Sequence, residues 1–585
     1  MPKVKVINEN RVIESRGLKT LLELLIENDV YIESPCGGKG SCGKCLVKIN
    51  NEPVFKLACQ TQVDSDMTVE VVSTKPEEEK ILVDGTMMEL EILPLITKEL
   101  VNPEALTYKS EALDKAVNRS YKSPLNFSYA NYKELSEIFN ENFEELTLTL
   151  ENKEDILNLE PGDTREKIYG IAIDIGTTTV AGYLWDLHKG EKICTSAMLN
   201  KQSPYGADVI SRITYCLESE NGIEELQNKA LETINFLIED LCKKGDVDKD
   251  NIYHLNLVGN TTMSHLFWGF NPTTLGRSPY LPVTQKPVRA KAKEISIDIN
   301  PKGEVVFMPS IAGFVGADTV GAALATQIDE NKKELLLDLG TNGEIVVTGN
   351  GKMIACSTAA GPAFEGAKIS HGMQATSGAI SRVTYENNNL LYTTIGNDFP
   401  KGICGSGLMD IMAILIRKGV IDKSGRIVSA ENIEDQELAK RIKEKENVKS
   451  FVIASPKEGQ DGKEVILTQK DVREVQLAKG AVAAGISALL SETEITYDEL
   501  ENVYLAGGFG NYVDVESIRT LGLFSEVKSE NIIPVGNAAG SGCQMALVNK
   551  NIYEQAIDLV EKVDHLELAS KPEFQTLFME AMYFA

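Results

Sequence analysis

No run of about eighteen apolar residues occurs in the 585-residue chain, so no membrane-spanning helix is expected. The opening Met1-Pro2-Lys3-Val4-Lys5 lacks an apolar signal region, and the reading is a cytoplasmic protein. Basic charge is short. Lys and Arg number 59 against 86 Asp and Glu, a formal net charge of −27 that argues against nucleic acid as a partner. Histidine is scarce, with five in all, and His265 and His371 stand isolated, which favours core or surface roles over catalysis. The pattern G-x-x-x-x-G-K-[ST] is missing, so a P-loop is disfavoured. Residues 86–161 contain no glycine and no cysteine, which makes that stretch a poor place for a phosphate loop.

What is present begins with cysteine. Ten cysteines in a chain of this length are no disulfide scaffold. Four of them, Cys36, Cys42, Cys45 and Cys59, form C-x5-C-x2-C and then a fourth ligand beyond. Gly37, Gly38, Gly40 and Gly43 lie within that loop. Four thiolates on a glycine-rich loop suit a 2Fe–2S cluster. Structural zinc is the plain alternative, but it usually shows two C-x2-C pairs or histidines, and neither is here. The flanking text reads as a small β-grasp. Strands are expected at 4–7, 11–14, 45–49 and 68–72, and Thr20-Leu21-Leu22-Glu23 reads as a capping box opening a short helix. Cys194, Cys216, Cys242, Cys356, Cys404 and Cys543 are scattered, and most of them read as buried small hydrophobes.

The length implies several domains. The division expected is a ferredoxin-like domain at 1–75, a charged linker at 76–95, a small middle domain at 96–165 and a large α/β region at 166–585. In the middle domain, 132–140 reads as helix and 145–150 as strand.

The large α/β region carries the same motif twice. Ile171-Ala172-Ile173-Asp174-Ile175-Gly176-Thr177-Thr178-Thr179 is echoed by Leu335-Leu336-Leu337-Asp338-Leu339-Gly340-Thr341-Asn342-Gly343-Glu344. Each reads as a buried strand, an Asp-x-Gly-Thr turn and a hairpin return, at 180–185 and 345–347. Glycine allows close approach to phosphate, and N–H and threonine hydroxyl groups donate to its oxygens. Asp174 and Asp338 are placed to hold a hydrated Mg²⁺. A single Asp-x-Gly-Thr is a common turn; two on matched strands are far more specific. Val503-Tyr504-Leu505-Ala506-Gly507-Gly508-Phe509-Gly510 runs a strand into paired glycines against which a purine and ribose can lie. The three elements resemble the phosphate-1, phosphate-2 and adenosine motifs of the acetate kinase, heat-shock protein 70 and actin superfamily.

Joined to the cysteine module, and to Val258-Gly259-Asn260-Thr261-Thr262-Met263 and Ala359-Ala360-Gly361-Pro362-Ala363-Phe364-Glu365-Gly366, these motifs resemble the reductive activators of corrinoid proteins over nearly the full length. The resemblance implies ATP-dependent return of Co(II) corrinoid to Co(I) in anaerobic methyl transfer. It implies a corrinoid protein as partner, an upstream low-potential reductant and a homodimer. No second, C-terminal ferredoxin with paired four-cysteine runs is present, unlike the methylamine-pathway activators. By motif, Gly176, Thr177, Thr178, Thr179, Gly340, Thr341, Asn342 and Gly343 contact phosphates. Gly507, Gly508 and Phe509 line the adenosine, and Glu365 orients the attacking water or serves as a structural carboxylate. Cys404-Gly405-Ser406-Gly407 opens a helix, toward nucleotide or as a plain capping turn. Residues 201–208 read as a surface loop before a helix, a candidate for partner contact. The run from Gly536 to Cys543 reads first as close helix packing, with approach to the nucleotide or the corrinoid as the alternative. The other functions weighed are an activator of another metalloenzyme such as a hydroxyacyl-CoA dehydratase, a redox-sensing actin-like regulator and a small-molecule kinase.

Overall fold

In the computed structural model, five strands form the N-terminal sheet: Lys3–Val6, Arg11–Glu14, Leu46–Ile49, Phe55–Leu57 and Met67–Val71, in spatial order 2-1-5-3-4. The first and fifth strands pair in parallel, the mark of a β-grasp. Val4 and Val6 alternate inward and meet Leu21 and Leu25 of helix Leu21–Glu27, all buried. Thr20 accepts from the Glu23 amide while Glu23 accepts from the Thr20 amide, so the capping box forms as read. The structure describes all residues except 16, 29, 33, 35, 36, 39, 41, 42, 51, 53, 73–84, 86–89, 103–110, 139–144, 367, 447, 508–512 and 585.

The glycine-poor stretch builds a three-stranded antiparallel sheet, Ile96–Val101, Leu146–Glu151 and Asp155–Pro161, covered by helices Leu113–Tyr121 and Tyr129–Ile138. Leu146, Leu148 and Leu150 face its core. On the other side Lys98, fully buried, donates to Glu160 at 2.6 Å, and Asn158 donates to the Tyr253 hydroxyl at 2.8 Å. Those bonds seat the small sheet on the next one.

That next sheet starts with an antiparallel meander, Tyr169–Ile175, Thr179–Asp186 and Glu191–Leu199. Ile252–Gly259 then joins parallel to the first strand, and Glu304–Phe307 parallel to that. The second large sheet repeats the plan. Glu334–Leu339, Gly343–Gly349 and Lys352–Thr358 form the meander; Asn502–Ala506 and Ile532–Gly536 add in parallel. Both sheets therefore share the spatial order 3-2-1-4-5. This is the duplicated ribonuclease H-like plan of actin-like ATPases. Strands buried on both faces explain the unbroken apolar runs Leu335-Leu336-Leu337 and Ile171-Ala172-Ile173. Long helices cover the sheets: Gly222–Gly245 on the first and Gln469–Thr493, opened by a Thr468–Asp471 capping box, on the second.

The described chain divides into two units. One holds the N-terminal domain, the small sheet and the first repeat through Met308, with Ala546–Tyr553. The other runs Pro309–Met545 and on from Glu554. Among the described residues no helix is long and apolar enough to cross a membrane.

Candidate functional site

The cysteine loop comes first in the chain. Cys36 and Cys42 lie outside the described residues. Cys45 and Cys59 are buried, and the Ala58 amide donates to the Cys45 carbonyl at 2.8 Å, bringing the two cysteine segments together. Gly38 has φ +86°, and a side chain there would press within 3.3 Å of Leu22. At Gly40, φ +72°, a side chain would stand 2.5 Å from the Gln60 amide nitrogen. The left-handed backbone at both positions favours glycine, and both lie close to side chains on either flank of the loop. Two buried thiols beside glycines in left-handed backbone fit a 2Fe–2S group.

The first hairpin belongs to the unit that contains the cysteine loop. Asp174 sits near the end of its strand, and Gly176, Thr177 and Thr178 make the turn before Thr179 starts the return strand. All three turn carbonyls are tied back. The Asn200 side chain donates to Gly176 O at 2.9 Å, its backbone N–H donates to Thr178 O at 2.9 Å, and Arg212 donates to Thr177 O. In a trans peptide the N–H points opposite to its carbonyl. Fixing these carbonyls inward therefore aims the Thr177, Thr178 and Thr179 N–H groups the other way, as a phosphate cradle requires. Asn260 caps helix Thr261–Trp268, accepting from the Met263 amide, and its NH₂ donates to the Thr177 hydroxyl at 3.1 Å.

Arg212 is completely buried, and desolvation pushes its guanidinium down to about 9. Residues 201–208 form the expected loop before helix Val209–Glu218, but a partly buried one. Gln202 and Gly206 are buried, and both accept from Arg212 at 3.0 Å. The polar composition that read as solvent exposure is consumed internally.

The second hairpin lies in the other unit. Asp338 and Glu344 are register partners across it, and the Gly340 amide closes the turn on Asn342 O at 2.9 Å. Gly343 packs so closely that a side chain would meet the Thr358 hydroxyl at 2.8 Å. Burial, and then the charges of Asp318 and Asp338, push Glu344 well above the carboxylate range. Burial likewise raises Asp318, to about 6. Facing carboxylates repel, and a divalent cation relieves that repulsion. Among the described residues no three such side chains converge as direct metal ligands. The Thr341 hydroxyl lies 3.4 Å from both Glu365 carboxylate oxygens, and burial raises Glu365. Gly507 adjoins Asp338, while Gly508 and Phe509 lie outside the described residues. Gly405, Ser406 and Gly407 start helix Gly405–Arg417, where Ser406 donates to Ser381 O at 2.8 Å and Gly407 abuts Ile380 O. Those contacts bind the turn to strand Ala379–Glu386.

Sequence reasoning passed over Asp318, Glu344, Asn200 and Arg212. Glu344 was readable, since a tight hairpin places it opposite Asp338. His265 is buried, with Nδ1 2.7 Å from Thr261 O and Nε2 accepting from the Val283 amide, a structural arrangement. Gly321 and Gly542 bring helices Ala317–Thr326 and Ala538–Val548 into close packing.

Comparison with known proteins covers the same regions. Residues 4–64 match the 2Fe-2S iron-sulfur cluster binding domain, 169–331 the RACo middle region, and 332–585 the C-terminal domain of RACo, the ASKHA domain. The cofactors that go with these domains are a 2Fe–2S cluster, ATP and Mg²⁺. Corrinoid activation enzyme RamQ of Eubacterium limosum is 38% identical over 560 residues, covering 94% of this chain and 93% of that protein. The Co(II) methylated amine-specific corrinoid protein reductase of Methanosarcina barkeri is 25% identical over 451 residues, 70% of this chain and 76% of that one. The solved structure of a reductive activator for corrinoid, iron-sulfur protein superposes with a TM-score of 0.76 at 32% identity, covering 100% of this chain and 98% of the other. The likeness runs from the cysteine loop through both repeats, and the chain belongs to the RACo family of reductive activators of corrinoid proteins.

Proposed function

We propose that this protein performs ATP-dependent reductive activation of a corrinoid protein, returning inactive Co(II) to Co(I) in anaerobic methyl transfer. The observation that carries the reading is the union, in one chain, of a cluster-binding domain with an ASKHA ATPase at full-length likeness to named corrinoid activators. The cluster, when bound by Cys36, Cys42, Cys45 and Cys59, supplies a one-electron store. Asp174 and Asp338 organise Mg²⁺ and its waters. Gly176, Thr177, Thr178 and Thr179 in one repeat, and Gly340, Thr341, Asn342 and Gly343 in the other, bind phosphate. Gly507, Gly508 and Phe509 line the adenosine, Glu365 orients the attacking water, and Gly405, Ser406 and Gly407 serve the nucleotide more remotely. The functional division is 1–75, 76–95, 96–165 and 166–585.

Cluster potentials span roughly −700 to +450 mV. If the donor falls short of cobalt by about 300 mV, one electron needs about 7 kcal/mol, at 59 mV per tenfold change in equilibrium constant. ATP can supply that only by binding two states of the complex differently. The upstream donor is a low-potential reductant, the working form a homodimer and the location a reducing cytoplasm.

The test is anaerobic mixing with a Co(II) corrinoid protein, a reductant and ATP, followed by the visible spectrum of Co(I). Co(I) is expected with ATP and not with ADP or a non-hydrolysable analogue. Equal yields in all three would overturn the coupling, and ATPase stimulation by a sugar or carboxylic acid instead would mark a kinase.

A further inference from the structure

Among the described residues, Arg212 is the largest side chain that the fold buries completely. A buried cation is costly unless its donors are met. Here they are met by neutral acceptors: Thr177 O, Gly206 O at 3.0 Å, the Gln202 side-chain oxygen at 3.0 Å and the Met263 sulfur at 3.1 Å. Asp208 acts on it only through space. One planar group thus fixes a carbonyl of the first phosphate hairpin and two points of the 202–206 loop together. Charge-assisted bonds in a rigid fork hold that geometry more firmly than neutral ones.

The same loop touches the cysteine loop. The Ser34 hydroxyl donates to Pro204 O at 3.3 Å. A methyl group on Gly37 would stand 3.2 Å from Tyr205 O. Ser34 and Gly37 flank Cys36 in sequence. The loop is pinned from behind, because Gln202 donates to Leu226 O at 2.8 Å and the Tyr205 ring meets Tyr215 edge-on at 5.0 Å. A second tie runs beside the first: Asn200 binds Gly176 O and Thr178 O, and its side-chain oxygen accepts from the Gln202 amide at 3.0 Å. Hairpin, guanidinium, loop and cysteine loop form one continuous string of contacts inside one unit.

We propose that Arg212 is a positioning residue that couples occupancy of the phosphate hairpin to the setting of the cluster loop. The inference rests on the phosphate-binding reading of Gly176, Thr177 and Thr178. A shift of the Thr177 peptide on binding phosphate moves the guanidinium, and with it the carbonyls against which Ser34 and Gly37 rest. Coupling of this kind is reciprocal: if nucleotide changes the cluster's reduction potential, cluster oxidation state changes nucleotide affinity by the same factor.

The experiment is a spectroelectrochemical titration of the cluster-loaded full chain, with and without saturating MgATP, beside MgATP dissociation constants for the oxidised and reduced protein. In the natural sequence the two constants should differ at least about threefold, matched by a potential shift of about 28 mV. Arg212→Met should abolish the shift with the cluster still bound. Arg212→Lys should leave a fraction of it, because lysine keeps the charge without the fork. Ser34→Ala should diminish it and bring the two MgATP dissociation constants correspondingly closer together. MgATP binding without any shift in the natural sequence, or a full shift in Arg212→Met, overturns the inference alone. Should Arg212→Met fail to fold, an undiminished shift in Ser34→Ala overturns it. A protein that binds no MgATP overturns the phosphate reading and this inference together.

Discussion

Gly507 leaves room for Asp338: a methyl group at position 507 would stand 2.6 Å from the Asp338 carboxylate and 2.5 Å from Leu339 O. Parallel pairing of Ala506 with Asp338 brings the glycine to that point. The strand end at Ala506-Gly507 and the second hairpin are therefore packed directly against each other. Gly507→Ala must also hold φ near +86°, a cost of roughly 1–2 kcal/mol for a residue with a side chain. It should weaken MgATP binding about tenfold or more, equivalent to about 1.4 kcal/mol, by calorimetric titration. Unchanged affinity would show that the Asp338 carboxylate moves aside freely.

Asp318 sets a dependence on pH. Its folded value of about 6 lies above its ordinary 3.8, so between those values the folded protein keeps a proton the unfolded chain has released. The stability this group contributes is complete below the ordinary value and is lost as pH climbs through about 6. Asp318→Asn should remove that loss. It should raise the stability of the nucleotide-free protein at pH 8 by on the order of 1–2 kcal/mol, with little gain at pH 4. It should also shrink the stabilisation by MgATP. Thermal melts across pH check both.

Glu365 can be tested for water orientation. Glu365→Gln keeps the shape and the contact with Thr341 but removes the negative charge. ATP turnover should fall on the order of a hundredfold while MgATP affinity holds, read by phosphate release and calorimetry. A large drop in melting temperature with proportionate turnover would mark a structural carboxylate instead.

The cysteine module predicts colour. Cys59→Ser should abolish the visible absorbance and most of the bound iron and sulfide in anaerobically purified protein. The sheet beneath should remain folded, with a loss of about 1–3 kcal/mol for the buried hydroxyl. A colourless natural protein carrying zinc would overturn the iron assignment.

Much of this was legible in the chain itself, and the reasons are local. Apolar runs such as Leu335-Leu336-Leu337 declare strands buried on both faces, and Asp-x-Gly-Thr declares the turn that follows. Thr20 and Glu23 announced their helix because a capping box is made within four residues. Strand bounds moved by a residue or so: 4–7 became Lys3–Val6 and 145–150 became Leu146–Glu151. What stayed hidden depends on distant chain. Nothing near Arg212 says that it will be sealed from water, because its acceptors come from Thr177, Gln202, Gly206 and Met263. The loop at 201–208 read as exposed for the same reason. Asp318 gains its electrostatic character only when folding buries it, where its charge also acts on Glu344.

The close packing at Gly321 has a practical corollary. A side chain at that position would run into Ala539 O at 2.7 Å, and one at Gly542 would collide with Gly321 O. The helix bearing Asp318 and its neighbour beginning at Ala538 are thus an inseparable cassette. Hybrids assembled from two homologous activators should exchange both helices or neither, since splicing between them invites a mismatch that no side-chain rearrangement can absorb.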